Sequence, residues 1–360
     1  MTELKTFNKK ELEDFVLSGD FKSFDFLPIS EHRAKSQIRN LKALEDQTLL
    51  VLAFYDGKLA GYVGCFPDNY LIDGKIFHYA WLSTLFVSEA FRGKRIAKAL
   101  LNKMFEEYDG NIIATEFTKE AETLYNMLGV FEYAYPKAGK RYYFRSDAAY
   151  IIPGKKPGTK AVKPLFQIAD AVANSLIVLK NSSIRKPEFR FEILDHIDAE
   201  SSEFMSKFRS RRNADEINIW IKNPWVLKSN RKEDKYLFSS YAEVFKYVWV
   251  KIYDDSHNLA ACSLLQLRDG NLKIPYLFSE ASDLDRFIDF LSYYIAGNKV
   301  KTLTSYQKEL NLRIEKSKIF PKIYERNFER RYLYHKELIQ HLPEGFDPEY
   351  QDGDGDCMMT

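Results

Sequence analysis

Apolar positions recur along this chain in two series that follow the same order. Leu49–Phe66 reads LLVLAFYDGKLAGYVGCF, two apolar runs split by Tyr-Asp-Gly, and predicts a β-hairpin. Tyr247–Leu267 reads YVWVKIYDDSHNLAACSLLQL and predicts a second hairpin. An apolar run ending at Val87 predicts a buried strand. A turn at Ser88-Glu89-Ala90-Phe91 follows, and Ile96, Ala97, Leu100, Leu101 and Met104 then share one helical face. In the second series, Leu277-Phe278-Ser279-Glu280-Ala281 leads into a helix over 284–296. Strands are predicted at 111–116 and 300–305. Helices begin after Lys119-Glu120 and Lys308-Glu309 and end near Phe131 and Phe320. Arg141–Phe144 and Arg331–Tyr334 close each series as strands. The repeated order at nearly constant offset predicts two copies of one α/β plan.

Between the copies, Pro153-Gly154-Lys155-Lys156-Pro157-Gly158 is a loop signal. Leu165, Ile168, Ala169, Val172, Leu176 and Leu179 then mark an amphipathic helix whose apolar face is expected to pack on a lobe or between lobes. The expected division is 1–150, a linker with a docked connector helix over 151–187, 188–345, and an acidic, flexible tail over 346–360.

Composition narrows the classes of function. The chain has 360 residues, 45% of them hydrophobic, enough for two ordinary domains. A net charge of +2 argues against a nucleic-acid partner. No apolar run is expected to reach a membrane span and no signal peptide is evident, so the expectation is a cytoplasmic protein with no membrane partner. Cys65, Cys262 and Cys357 are too few and scattered for a disulfide framework.

The chemistry concentrates in Arg92-Gly93-Lys94-Arg95-Ile96-Ala97. Strand, cationic glycine-containing turn and helix N-terminus suit a pyrophosphate, because the first helical N–H groups lack partners and the dipole adds positive charge. Basic residues there oppose the dipole of a merely structural helix, which leaves the cluster unexplained without an anion. The segment resembles motif A of the GCN5-related N-acetyltransferase (GNAT) superfamily, Arg/Gln-x-x-Gly-x-Gly/Ala, which binds the pyrophosphate of acetyl-coenzyme A. Arg92 fits the first position and Ala97 the last. Arg95 stands where the family prefers Gly; ordinary helical dihedrals are expected there, with its N–H still on offer. The resemblance covers roughly 45–145 closely and 190–340 more loosely. It implies two GNAT-like mixed twisted sheets flanked by helices.

The second copy departs where the chemistry lies. Asp283, Asp285 and Ile288 stand in place of Arg92, Lys94 and Ala97, and two carboxylates repel a pyrophosphate. The family's usual general acid is a Tyr in the last helix, shortly before Leu-Gly-Phe. The first copy has Tyr125 followed by Leu128-Gly129-Val130-Phe131, and the second has Ile314. A degenerate second lobe and one coenzyme A per chain are expected.

By resemblance, the N–H groups of Leu85, Phe86 and Val87 contact the pantetheine and the acyl oxygen. An amine attacks the thioester and Tyr125 protonates the leaving thiolate. Glu116, His78 and Asp68, the last read in a Pro67–Tyr70 turn, are the candidate bases, Glu116 the first of them; a water relay is the alternative. Asp352, Asp354 and Asp356 alternate as in a calcium loop but lack its Gly and its terminal Glu, so no metal is expected. Arg209-Ser210-Arg211-Arg212 reads as a solvated face, with an anionic substrate as the alternative. Trp220 and Trp225 read as packing residues.

The function implied is an acetyl-CoA-dependent N-acetyltransferase acting on a small-molecule amine such as an amino sugar or surface-polysaccharide precursor, in a bacterial setting. It is expected to be a monomer or a homodimer. The alternatives are a peptide-bridge aminoacyltransferase and a non-catalytic acyl-CoA-binding protein.

Overall fold

The computed structural model describes residues 1–231 and 235–357. In chain order the strands are β1 (Thr2–Phe7), β2 (Leu50–Tyr55), β3 (Lys58–Ile72), β4 (Lys75–Val87), β5 (Ile112–Thr115), β6 (Phe131–Tyr143), β7 (Phe191–Leu194), β8 (Leu227–Lys228), β9 (Tyr241–Ala242), β10 (Phe245–Tyr253), β11 (Leu259–Arg268), β12 (Asn271–Ser279), β13 (Thr302–Ser305) and β14 (Tyr324–His335). The helices are α1 (Lys9–Leu17), α2 (Gly19–Ser23), α3 (Glu31–Ile38), α4 (Ile96–Glu107), α5 (Lys119–Leu128), α6 (Ala148–Lys155), α7 (Lys163–Lys180), α8 (Ala199–Met205), α9 (Ala214–Lys222), α10 (Leu284–Gly297), α11 (Lys308–Lys316) and α12 (Lys336–His341). The hairpins β2–β3 and β10–β11 and the helices α4 and α10 stand where the apolar pattern puts them.

These elements form two compact units. The first comprises Met1–Lys137, Arg209–Glu243 and Arg330–Thr360; the second comprises Ala138–Phe208 and Val244–Glu329. The division at 1–150, 151–187, 188–345 and 346–360 is therefore corrected. The cause is strand pairing. In the first unit β5 pairs with Tyr332–Tyr334 of β14, near the end of the chain. In the second, β13 pairs with Lys140–Tyr143 of β6. Each unit thus takes its closing strand from the other half of the sequence.

Within the first unit the strand order is β1-β2-β3-β4-β5-β14. Among the described residues of this sheet only β4–β5 is parallel; β8 and β9 form a separate short parallel pair. Alternation along β2 sends Val51 and Ala53 to one face and Leu50 and Leu52 to the other, as period-two geometry requires. On the first face α4 packs through Ile96, Leu100, Leu101 and Met104. On the second lie Phe7, Leu12, Phe21, Tyr62 and Tyr236. Cys65 is buried in the first face, and that burial pushes its thiol up to about 12, so it stays an unreactive core thiol.

Within the second unit the order is β6-β13-β12-β11-β10-β7. Val248, Val250, Ile252 and Leu265 pack on Phe287, Ile288 and Leu291 of α10. Helix α7 corrects a further expectation. Its predicted apolar stripe faces outward: Leu165, Ile168, Val172, Leu176 and Leu179 are 59–68% exposed. The helix is held by its polar side instead. The buried Asp170 carboxylate accepts hydrogen bonds from the Ser146 hydroxyl and the Ala148 and Ala149 amides. The expectation of no span-length apolar run is also corrected. The helical stretch Pro157–Ser183 is long and apolar enough to cross a bilayer, with a mean hydropathy of 1.4 in its most apolar window.

Candidate functional site

The first unit builds its site where β4 leaves β5. Parallel pairing holds Ala80–Leu82 beside Ile112–Ala114. Beyond it, β4 continues against β3 alone through a bulge: Gly64 lies opposite Ser83 and Val63 opposite Leu85, leaving Thr84 as the extra residue at φ 56°. A β-branched residue at positive φ is a strained backbone state that re-aims its neighbours. Gly64 permits this approach, since a Cβ there would stand 2.9 Å from the Ser83 carbonyl oxygen. Glu116, just past β5, also has positive φ, at 51°. The two strands therefore part between Ser83–Val87 and Glu116.

A groove of about 670 Å³ follows on from Val87. Arg92, Gly93, Arg95, Ile96 and Ala97 line it on one side, and Leu124, Met127 and Leu128 of α5 on the other. Among the described residues no side chain caps α4, which leaves its first N–H groups to a ligand. Arg95 corrects the expectation of helical dihedrals: it sits at the N-cap in the left-handed region, at φ 61°. The same geometry accounts for the family's preference for Gly at this position. Gly93 is left-handed as well, at φ 81°. Arg92 is mostly exposed and meets Glu89 at 3.2 Å. Lys94 points elsewhere, over the Tyr55 ring at 5.6 Å.

Tyr125 is buried on α5 between the rings of Phe117 and Phe131. Burial raises its hydroxyl above the ordinary tyrosine range, and the nearby Asp356 carboxylate raises it further. It is a neutral proton donor at physiological pH.

Asp356 is the residue that the sequence reading missed. The segment expected to be a flexible acidic tail is docked as far as Cys357; residues 358–360 lie outside the described residues. Gly355, at φ 77°, presses on the Trp81 ring, where a Cβ would meet the indole at 3.0 Å. The Ser83 hydroxyl donates to Asp356 Oδ2 at 2.5 Å and accepts from Arg33 Nη2 at 2.5 Å. Burial pushes the Asp356 carboxyl above the usual carboxylate range, against the opposing effects of Ser83 and Arg33. A half-buried carboxylate thus stands at the bulge, close enough to Tyr125 to act on its hydroxyl electrostatically. Glu116 is engaged differently: its carboxylate takes a 2.8 Å hydrogen bond from Arg330 Nη2.

Asp68 lies inside β3, not in a turn, and is fully buried. Arg212, Arg211 at 3.2 Å and Lys42 at 3.2 Å surround it, and the Trp81 indole donates to it at 2.9 Å. Burial alone raises this carboxyl, but the three cations outweigh that and hold it well below the usual range. It is a structural anion with no proton to exchange near neutrality. The solvated reading of Arg211 and Arg212 is corrected with it, because both are buried there, while Arg209 is exposed. Trp220 and Trp225 are buried against Phe66. His78 stands on β4 opposite Asn69.

In the second unit the corresponding turn is acidic and engaged. Asp283 pairs with Arg286 at 3.0 Å and Asp285 with Arg313 at 2.7 Å. Ile288 and Ile314 are core residues.

The Acetyltransferase (GNAT) family profile matches residues 17–129. Over that segment, less than half of the chain, the sequence is similar to the GNAT family. Solved structures place the whole chain in the same fold. A GCN5-related N-acetyltransferase from Anabaena variabilis is 12% identical with a TM-score of 0.50, covering 92% of this chain and 72% of its own. A conserved protein of unknown function from Enterococcus faecalis, described as a probable N-acyltransferase, is 10% identical with a TM-score of 0.52, covering 94% and 73%. A GCN5-related N-acetyltransferase from Kribbella flavida is 11% identical with a TM-score of 0.50, covering 92% and 70%. At these identities the likeness shows the fold. No curated protein matches the chain. The GNAT profile spans β2–β5, α4 and α5, which hold the groove, the bulge and Tyr125.

Proposed function

We propose that this chain is an acetyl-CoA-dependent N-acetyltransferase acting on a small-molecule amine, with its single active centre in the first unit. The observation that carries the reading is the parting of β4 from β5 at a bulge that leads directly to an uncapped, cation-bearing helix N-terminus. Backbone amides of Arg95, Ile96 and Ala97, with the Arg92 guanidinium, suit a pyrophosphate. Leu85, Phe86 and Val87 then lie along the path of the pantetheine toward the bulge.

In this reading the acceptor nitrogen attacks the thioester carbonyl and the C–S bond breaks. Tyr125 donates its proton to the departing thiolate. Asp356 takes the proton from the nitrogen, in place of Glu116, whose carboxylate is committed to Arg330. An amino sugar is one acceptor compatible with this chemistry. The second unit supports no anion site, because Asp283 and Asp285 occupy the turn.

Calorimetric titration with coenzyme A is expected to give one site per chain. Arg92→Glu is expected to weaken binding by about 1–3 kcal/mol, from a lost charge-assisted contact and added repulsion. Unchanged affinity in a folded variant refutes this placement of the pyrophosphate.

Asp356→Asn is expected to lower kcat by about a hundred-fold and to flatten the acidic limb of the pH–rate profile. The sign follows from the raised carboxyl: the base works only when ionised, so activity rises with pH through a midpoint above the ordinary carboxylate range. An unaltered limb in the variant, with amine acetylation followed by thiol release, assigns the proton to water.

A further inference from the structure

Helix α7 and its flanks expose a surface that acyl transfer does not use. Around the helix at 100° per residue, Leu165, Ile168, Val172, Leu176 and Leu179 fall within one stripe about 100° wide. All five are at least 59% exposed. Tyr150 of α6 adds a further exposed ring, at 78%. Only 6% of the most apolar window of Pro157–Ser183 is buried. A contiguous apolar face of this kind marks an interaction surface.

The charge around that face selects the partner. Lys155, Lys156, Lys160 and Lys163 precede or open the helix, and Lys180, Arg185 and Lys186 close it; all are exposed. Between Ala148 and Pro187 the one acidic residue is Asp170, and it is buried on the far side of the helix. An apolar stripe with cations at both ends matches a layer that is apolar inside and anionic at its rim. Long lysine side chains reach from such a stripe back to the headgroups.

Geometry distinguishes lying on a bilayer from crossing it. Asp170 binds the start of α6, and Asn174 accepts from the Ser146 amide at 2.9 Å and donates to the Ser146 carbonyl at 3.0 Å. Phe166, Ala173 and Ile177 share that inward side and are half-buried. The helix is thereby fixed along the second unit, its outer stripe alone free to enter lipid.

We propose that the α6–α7 segment docks this protein on an anionic phospholipid bilayer. The Leu165–Leu179 stripe lies at the acyl boundary, and the flanking lysines and Arg185 lie against lipid phosphates. This revises the expectation of no membrane partner.

The test is co-sedimentation of the full chain with vesicles of phosphatidylcholine containing 30–40% phosphatidylglycerol, taken as a working range of order tens of per cent anionic lipid. Partitioning is expected onto these vesicles, to be at least ~10-fold weaker on pure phosphatidylcholine, and to fall as salt screens the headgroups. Leu165→Glu, Val172→Glu and Leu176→Glu combined are expected to reduce partitioning by at least ~10-fold, as are Lys155→Glu, Lys156→Glu and Lys160→Glu combined. Because all six positions are exposed, coenzyme A titration of each variant is expected to match the parent and so verify folding. No partitioning, or equal partitioning onto neutral vesicles, overturns the proposal. So does a vesicle-free dimer that the apolar variant dissociates, since the stripe is then covered by a second copy.

Discussion

Tyr125→Phe is expected to lower kcat by about 10²–10⁴-fold while leaving coenzyme A affinity close to that of the parent. The substitution keeps the ring and its packing between Phe117 and Phe131 and removes the hydroxyl alone. The hydroxyl stays protonated because burial and the Asp356 carboxylate both oppose its ionisation. In the proposed role of acid toward the leaving thiolate, a donor held neutral contributes only as charge develops on the sulfur, so its loss is expected in kcat and not in binding. Pre-steady-state acyl transfer checks it: a rate within a few-fold of the parent, with chemistry rate-limiting, places the acid elsewhere.

Asp68→Asn is expected to destabilise the protein by about 3–5 kcal/mol at neutral pH, as when one partner of a buried ion cluster is removed. The variant leaves Arg211, Arg212 and Lys42 buried without their shared anion. The pH sign is definite. The folded-state pKa of Asp68 lies below its unfolded value of about 3.9, so its stabilisation is complete above that value and is lost as pH falls through the folded pKa. Urea unfolding at pH 7 checks the magnitude. A pH series between about 4 and 2 is expected to show a shallower acid loss in the variant than in the parent. Equal midpoints at pH 7 contradict a stabilising role for this anion.

Much of the first unit was legible because its signals are local. The hairpin β2–β3, the strand-turn-helix around Arg92 and the helix carrying Tyr125 each follow from spacing within a short window. What the sequence hides depends on partners far along the chain. Arg331–Tyr334 reads as a strand, but nothing in a period-two pattern states that it pairs with β5. Arg211, Arg212 and Asp356 carry charges that look solvated until the opposite charges folded around them are known. Asp68, read in a turn, lies mid-strand because Pro67 tolerates the hairpin there and the pairing with β4 continues past it. The stripe on α7 is visible as a pattern, yet amphipathicity states only that a face exists, not that protein covers it. Arg95 shows the same limit at one residue: its type suggests a helical conformation, and the turn imposes a left-handed one.

The exchange of closing strands between the two halves of the sequence reaches into biosynthesis. As the nascent chain emerges, β5 is complete some two hundred residues before the strand that pairs with it. Until β14 arrives, β5 presents an unpaired edge rich in Ile and Ala, the kind of edge that recruits other chains. The acidic segment that supplies Asp356 comes later still. Cooperative closure of the first unit, and with it the candidate site, is therefore a late event with a large loop-closure cost, not the early folding of an amino-terminal domain.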